Sequence, residues 1–182
     1  MDGYASPSDG SMDWIIETKN PRNMEYGIHS FYKEIETVVM TLSHYFNLVS
    51  CEMFDPHMEK PCIIVRPHLD LKVSSRHNVE YITDPLADYS KTIKHITELK
   101  NIGEGDLWIA GDNRLIKAML EADIVDEVNI TMIPGSLGDG IKLFSSDFNE
   151  VKWKSTRATE NEHGITQIHY RSRETSDKNV IN

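Results

Sequence analysis

The residues best suited to ligand binding form a glycine turn that joins a strand to a helix near the middle of the chain. Leu107 to Ala110 make a short apolar run, typical of a strand buried on both faces, and Gly111 and Asp112 follow it. From Asn113 onward, apolar residues recur at helical spacing. Since a helix start presents unpaired N–H groups and the positive end of its dipole, this turn predicts a phosphate site in a nucleotide pocket.

Five motifs in a fixed order resemble the dihydrofolate-reductase-like family, in particular the reductase domain of bifunctional riboflavin-biosynthesis deaminase-reductases. They are MDGYASPSDGSMDWI at the start, LWIAGDNRLI at the glycine turn, VDEV, Pro134 and LGDGIKLF. Each motif is weak alone, but their order and spacing place nearly all of residues 1–171 in register with the family. The resemblance therefore indicates one domain over 1–171, and residues 172–182 are predicted to be a polar tail.

The resemblance implies an enzyme that transfers hydride from NADPH to a pterin, a ribosylaminopyrimidine or a similar heterocycle, usually as a homodimer. The family's glycine turn contacts the cofactor, so the expected cofactor-binding residues are Ala110, Gly111, Asp112 and Asn113. The hydride chemistry would belong to the cofactor, while the protein binds and orients both molecules.

Asp112 stands where the family has the second glycine of this turn. Paired glycines let backbone N–H groups approach a diphosphate, whereas Asp112 adds a Cβ atom and a negative charge. Two like unit charges about 4 Å apart repel by up to about 4 kcal/mol at an effective dielectric constant near 20. The alternative is that Asp112 simply caps its own helix, a gain of about 1 kcal/mol. We therefore expect NADPH to bind weakly or not at all.

A second departure concerns a basic Gly-Arg-Lys-Thr-like turn through which the family contacts cofactor phosphates. The matching register holds Thr41, Leu42, Ser43 and His44, so the positive charge of that turn is absent. Arg66 lies near the family's contact to the 2′-phosphate and could partly substitute through a bidentate hydrogen bond. The alternative for Arg66 is a solvated charge at a strand end.

The resemblance places the substrate-side candidates Asp2, Asp13 and Trp14 on the N-terminal loop, in register with the family's loop over the nicotinamide and substrate. A carboxylate against an apolar wall such as Trp14 would have a raised pKa. It would then suit binding an N–H edge or relaying a proton during hydride transfer. The alternative for each Asp is a turn residue that hydrogen-bonds its own backbone.

The elements that must position these residues follow from hydrophobic spacing. The predicted elements are strands over 36–40, 62–66, 79–83 and 107–110, helices over 42–49, 86–99 and 113–122, and a hairpin of 150–158 and 164–171. Residues 1–23, rich in turn-forming types, are predicted to be a long mobile loop, and the 129–131 segment to lie in a buried strand.

These elements predict an α/β three-layer domain with a mixed, mostly parallel sheet closed by an antiparallel C-terminal hairpin, resembling dihydrofolate reductase. In the family an apolar strand precedes the MDGY-like segment and lies near the middle of the sheet, whereas here that segment starts at Met1. We therefore expect the first central strand to be missing. Losing about four or five buried apolar side chains would remove about 6–15 kcal/mol, comparable with the whole stability of a domain.

Composition limits the class of protein. The 182 residues suffice for one domain, and no apolar run approaches a membrane span. A net charge of −10 argues against a nucleic-acid partner, which would need clustered Lys and Arg. Cys51 and Cys62 lack metal-ligand spacing and, with no signal peptide, are expected to be reduced thiols of a cytoplasmic protein. The dispersed histidines predict no metal site.

The sequence thus predicts an NADPH-dependent reductase of a pterin- or ribosylaminopyrimidine-like heterocycle, of the riboflavin or folate type. Its partners would be a small-molecule substrate and a second copy of the chain. The rival is a degenerate, non-catalytic protein of the same fold that binds a ligand or a protein partner, and it is motivated by Leu42, Ser43 and Asp112. Fold alone does not choose between them.

Overall fold

A computed structural model describes residues 2–11, 14, 28–50, 60–68, 78–84, 88–103, 105–144, 153–160 and 164–172, with only the backbone of 28–30 and 48–50. The chain divides into two compact units, one made of residues 1–24 and 125–182 and the other of 25–124. Asp13, Cys51 and residues 173–182 of the predicted tail lie outside the described residues, whereas Ser172, its first residue, ends the last strand. The single domain over 1–171 stays a prediction.

Strands and helices alternate in the 25–124 unit, whereas the elements with assigned bounds in the other unit are strands. In chain order the elements are β1 (Tyr4–Ser6), α1 (Ile28–Glu34), β2 (Ile35–Thr41), α2 (Leu42–Ser50), β3 (Cys62–Arg66), β4 (Val79–Thr83), α3 (Ser90–Ile102), β5 (Asp106–Ile109), α4 (Asn113–Glu121), β6 (Glu127–Met132), β7 (Ile141–Lys142), β8 (Trp153–Glu160) and β9 (Thr166–Ser172). No helix in the described ranges is long and apolar enough to cross a membrane.

The 25–124 unit is built on a four-stranded parallel sheet in the order β4-β3-β2-β5. Its central strand β3 is an almost continuous apolar run, and residues 38–40 of β2 are apolar and buried, which is the pattern of a parallel sheet covered on both faces. Val38, Met40 and Ile64 are fully buried at its centre. The core therefore lies around β2 and β3, and β5 pairs with the other side of β2.

The predicted strands and helices of this unit are confirmed, with both ends of α3 corrected, since this helix ends at Ile102 rather than at Leu99. β3 and β4 have the predicted bounds, and β2, α2, β5 and α4 differ from them by one residue. Helix α3 begins at Ser90 rather than at Leu86 because Tyr89 has a left-handed backbone, with φ of 57°, that cannot continue a helix from before it. Residues 85–87 lie outside the described residues.

The other unit contains a three-stranded antiparallel sheet, in the order β6-β9-β8, and the short antiparallel pair β1-β7. The predicted C-terminal hairpin is confirmed as β8 and β9. Tyr4 to Ser6 form a strand rather than a loop, because Ile141 and Lys142 supply a pairing edge. Strand β6 was expected to be buried, but Asn129 and Thr131 are exposed because its side chains alternate between faces.

The predicted α/β fold, with parallel strands and an antiparallel C-terminal hairpin, is confirmed. The strands differ from the prediction in forming separate sheets rather than one mixed sheet. Among the described strands, β5 pairs only with β2 and β6 pairs only with β9, so neither provides a link between a parallel and an antiparallel sheet.

Gly140 is required by the pairing of β1 with β7, and we predict that Gly140→Ala lowers the free energy of unfolding by about 1–3 kcal/mol. Its φ is 151°, and a Cβ atom there would lie 2.2 Å from the carbonyl oxygen of Ser6. Urea unfolding measures the loss. Gly135→Ala is the control, since nothing lies within 4 Å of its Cβ position. Equal effects of the two substitutions would contradict the prediction.

Candidate functional site

The strand order of the parallel sheet reverses beside β2. From β2 the chain proceeds through β3 to β4 on one side, and β5 then returns to the opposite side of β2. In open parallel sheets, ligands bind in the crevice outside the carboxyl ends of the strands at such a reversal. The turns at this point are those after β2 and β5, which contain seven of the predicted cofactor residues.

A chain of hydrogen bonds joins these two turns. The hydroxyls of Thr41 and Ser43 lie 3.0 Å apart, and Ser43 Oγ donates to Asp112 Oδ2 at 3.5 Å. Thr41 Oγ1 also accepts from the backbone N–H of His44 at 3.3 Å, which caps helix α2. The structure therefore brings together the predicted residues Thr41, Ser43, His44 and Asp112, although they are about 70 positions apart in the sequence.

Asp112 caps helix α4, as the alternative interpretation predicted. Its Oδ1 accepts from the backbone N–H groups of Arg114 and Leu115, each at 3.1 Å, and its own backbone is extended. These are the N–H groups that a phosphate at the start of α4 would use. The half-buried carboxylate thus takes both the donors and the space that an anion would need.

The neighbouring residues of this turn have structural roles. Ala110 is buried and donates its N–H to Val39 O, which extends the pairing of β5 with β2. A Cβ atom at Gly111 would lie 2.8 Å from Leu115 Cδ2, so the buried side chain of Leu115 would have to shift. Asn113 is the first residue of α4 and is half-buried. Close packing of α4 on the strand therefore accounts for Gly111 without a ligand.

His44 adds no lasting positive charge to the site. The ring is half-buried, and this burial lowers the pKa of His44, while the carboxylate of Asp112 acts in the opposite direction. The neutral imidazole therefore dominates near pH 7, where it leaves the charge of Asp112 uncompensated.

The lowered pKa of His44 predicts a loss of stability in acid. A native state with the lower pKa binds fewer protons than the unfolded chain, so the free energy of unfolding falls as pH drops below about 6.5. His44→Gln removes this contribution and should flatten the decline between about pH 7 and pH 5. Urea unfolding of both proteins across that range measures the difference. Identical pH dependence would contradict the prediction.

Arg66 lies at the carboxyl end of β3, the next strand of the sheet. Its Nε donates to Thr83 Oγ1 at 3.2 Å, and its guanidinium lies 4.7 Å from the ring centroid of Tyr81. This stacking and hydrogen bond hold the guanidinium against β4, which disfavours the alternative of a freely solvated charge. Arg66 is therefore a fixed cation at the same edge of the sheet as the two turns.

Two residues at this edge were missed from the sequence. Asp84, which is 5% exposed, accepts from both the N–H and the hydroxyl of Thr92 at 3.2 Å and so caps α3 from outside the helix. Tyr89 precedes α3 with its ring buried, and burial together with the charge of Asp112 raises its pKa. The Asp84-Pro85 break marked the end of a strand, but neither role has a local sequence signal.

The substrate-side candidates belong to the other unit, and the expected raised pKa is wrong for Asp2. Asp2 is exposed, and its Oδ2 accepts from Gly138 N–H at 2.8 Å, so this hydrogen bond lowers its pKa. The main influence on the pKa of Asp2 is therefore a hydrogen bond that stabilises the charged carboxylate, and not burial against an apolar wall. Trp14 is half-buried, and Asp13 lies outside the described residues.

A dinucleotide fits only part of this site. Helices α3 and α4 already have carboxylate caps, from Asp84 and Asp112, whereas α2 is capped by the neutral hydroxyl of Thr41. A phosphate is therefore favoured at α2, with Arg66 as a nearby strand-end cation, and disfavoured at α4.

Comparison with known proteins gives consistent matches. The family model for the RibD C-terminal domain matches residues 74–166. The chain is 29% identical over 170 residues to the protein YwjB of Bacillus subtilis (strain 168), covering 93% of this chain and 91% of YwjB. It is 23% identical over 172 residues to YyaP of the same organism, covering 93% and 89%.

Solved structures show the same fold. A crystal structure from Shewanella sp. PV-4, whose name provisionally assigns it to riboflavin biosynthesis, has a TM-score of 0.78 at 22% identity and covers 95% of this chain and 94% of its own. The diaminohydroxyphosphoribosylaminopyrimidine deaminase/5-amino-6-(5-phosphoribosylamino)uracil reductase of Thermotoga maritima has a TM-score of 0.65 at 12% identity. That match covers 93% of this chain and 53% of the bifunctional protein.

Proposed function

Because the chain belongs to the RibD C-terminal domain family, whose domains are reductase-like, we propose that it is an NADPH-dependent reductase of a pterin- or ribosylaminopyrimidine-like heterocycle. The observation that carries this proposal is the meeting of the β2 and β5 turns at the strand-order reversal, where Ser43 Oγ lies 3.5 Å from Asp112 Oδ2. Crevices at such a reversal bind dinucleotides in open α/β sheets. The reaction would be of the riboflavin or folate type and take place in the cytoplasm.

On the cofactor side, the start of α2 and the fixed guanidinium of Arg66 are the groups that would hold NADPH. The Thr41 and Ser43 hydroxyls hydrogen-bond each other at 3.0 Å and can turn toward a phosphate oxygen. Arg66 presents planar donors that suit the 2′-phosphate. NADPH, when bound, supplies the hydride, and the protein's part is to orient it.

On the substrate side, we assign the orienting carboxylate to Asp13, with Trp14 as its apolar neighbour. This assignment rests on the sequence register. Asp2 is ionised over a wider pH range than an ordinary carboxylate, and it is already engaged with Gly138. A carboxylate in that state accepts hydrogen bonds and is poorly suited to relay a proton near pH 7.

A second candidate function is a non-catalytic ligand-binding or interaction protein of the same fold. The observation that favours it is the cap of α4, because Asp112 occupies the donors that a diphosphate would use. The segment 41–44 has no positively charged side chain near neutral pH, which also favours a non-catalytic protein.

Hydride transfer distinguishes the two functions. Purified protein is mixed with NADPH and a panel of oxidised pterins and ribosylaminopyrimidines, and consumption of NADPH is followed by its absorbance. The reductase proposal expects turnover with at least one heterocycle, together with a preference for NADPH over NADH that Arg66→Gln abolishes. Saturable binding of a heterocycle without NADPH consumption would instead favour the second candidate.

We further propose that the protein is a homodimer, as its resemblance to the reductase family implies. Light scattering on the purified protein tests this directly. A mass of about two chains supports the proposal, whereas a mass of one chain, 20.9 kDa, throughout the accessible concentration range contradicts it.

A further inference from the structure

Tyr89 has an unusual backbone for a bulky residue. Its φ of 57° and ψ of 19° lie in the left-handed region, directly before the first residue of α3. Large side chains rarely adopt this conformation, which in folded proteins is concentrated at functional sites. Tyr89 is the N-cap residue of α3, and its backbone carbonyl accepts from the N–H of Ile93 at 2.7 Å, but its side chain makes no capping bond to the helix.

The side chain of Tyr89 is buried, yet its hydroxyl is uncommitted. The residue is 7% exposed. In the part of the chain that the structure describes, the hydroxyl makes no hydrogen bond. It is also not fully enclosed by protein atoms. Phenylalanine would fill the same space in the core, so packing alone does not require the hydroxyl of Tyr89. The hydroxyl is therefore an accessible donor that is available to a ligand.

The charges around Tyr89 keep this donor protonated. Asp112 at the start of α4 and Asp84 after β4 both act on the phenol, and Arg114 acts in the opposite direction. Burial and the carboxylate of Asp112 raise the pKa of Tyr89. The hydroxyl therefore remains a hydrogen-bond donor throughout the neutral range. Because β4 and β5 belong to one parallel sheet, Tyr89 and Asp112 both follow strands at its carboxyl edge.

Backbone N–H donors at the starts of α3 and α4 are already used by carboxylates. Asp112 has taken the N–H groups of Arg114 and Leu115, and Asp84 and Asp88 have taken those of Thr92 and Ser90. A phosphorylated ligand beside α4 must therefore find its donors on side chains. Tyr89 has such a group.

We propose that Tyr89 is a ligand-contacting residue of the candidate site and that its hydroxyl donates a hydrogen bond to a phosphoryl oxygen of a phosphorylated ligand. This inference rests on the proposed function and deepens it, because it names the group that replaces the backbone donors of α4.

Tyr89→Phe tests the role of the hydroxyl while keeping the ring. Tyr45→Phe is the matched control, since Tyr45 is also a buried tyrosine, 8% exposed, and belongs to the core cluster. Calorimetric titrations use three probes, NADPH, ADP-ribose and inorganic pyrophosphate. We expect Tyr89→Phe to weaken binding of the phosphorylated probes by about tenfold and Tyr45→Phe to leave it unchanged. Thermal melts of both variants check that folding is retained.

A second measurement reports on the hydroxyl itself. The ultraviolet difference between wild-type and Tyr89→Phe titration curves isolates the ionisation of Tyr89. A hydrogen bond donated to a bound anion stabilises the protonated phenol, so saturation with the tightest-binding probe should move that ionisation to higher pH. A purely structural tyrosine would show no such shift.

The outcomes separate this inference from the proposed function. If NADPH binds and Tyr89→Phe changes neither affinity nor ionisation, the inference is overturned and the reductase proposal stands. If pyrophosphate binds but NADPH does not, the reductase proposal fails and the effect of Tyr89→Phe on pyrophosphate decides the inference. If no phosphorylated probe binds the wild-type protein, both are overturned.

Discussion

Replacing Asp112 by glycine is expected to strengthen NADPH binding by about tenfold or more. The carboxylate of Asp112 accepts from the N–H groups of Arg114 and Leu115 and so fills the start of α4. Glycine frees both donors and removes a negative charge beside the crevice, and it allows the close backbone approach that a diphosphate needs. Calorimetric titration of both proteins with NADPH measures the gain.

The same substitution should slightly destabilise the protein without ligand. The lost cap costs a few tenths to about 1 kcal/mol, because glycine is itself a tolerable N-cap residue. Asp112→Asn is the matched control, since it can keep the capping oxygen while removing the charge. Stronger NADPH binding in both variants would identify the negative charge of Asp112 as the cause of weak binding. Stronger binding in Asp112→Gly alone would identify the blocked backbone N–H groups as the cause. Unchanged binding in both would contradict the account of α4.

The second large effect concerns stability, and Asp84→Ala is expected to lower the free energy of unfolding by about 2–4 kcal/mol. Asp84 is buried, and one of its oxygens accepts from both the N–H and the hydroxyl of Thr92, which is itself fully buried. Alanine leaves these donors without an acceptor in a place that water does not reach. Urea unfolding at neutral pH measures the loss.

Asp88→Ala is the control for Asp84→Ala. Asp88 also accepts from a first-turn N–H of α3, that of Ser90 at 3.0 Å, but it is exposed. Water can satisfy Ser90 after the substitution, so the loss should be clearly smaller than for Asp84. Equal losses would show that local capping, and not burial of the Asp84–Thr92 pair, determines the stability of the helix start.

The parts of the fold that were predictable from sequence are those with local signals. Strands β3 and β4 have their predicted bounds because each is a short run rich in apolar or β-branched residues that ends at a polar break. The capping role of Asp112 was also predictable, since a cap acts on N–H groups two and three residues ahead.

The parts that were not predictable depend on contacts distant in sequence. Asp84 caps a helix at Thr92, eight residues on, beyond the spacing of a local cap. The hydrogen bond from Gly138 to Asp2 spans 136 positions, and it reversed the expected direction of the Asp2 pKa. Tyr89 has a left-handed backbone without being the glycine or asparagine that would signal it.

The roles of the candidate site residues stay predictions, and the electrostatics of the site had no signal in the sequence. Parallel strands bring their carboxyl ends to one edge of the sheet, and the segments 41–44 and 110–113 lie together there. Ser43 and Asp112 make the hydrogen bond between them. The lowered pKa of His44 could not be read from sequence, because it arises mainly from burial.

On the proposed function, the crevice between the β2 and β5 turns binds NADPH despite the carboxylate of Asp112. A calorimetric titration of the wild-type protein with NADPH measures this binding. We expect saturable binding with a dissociation constant weaker than about 1 μM, which tightens in Asp112→Gly. The absence of saturable binding in both proteins would contradict it.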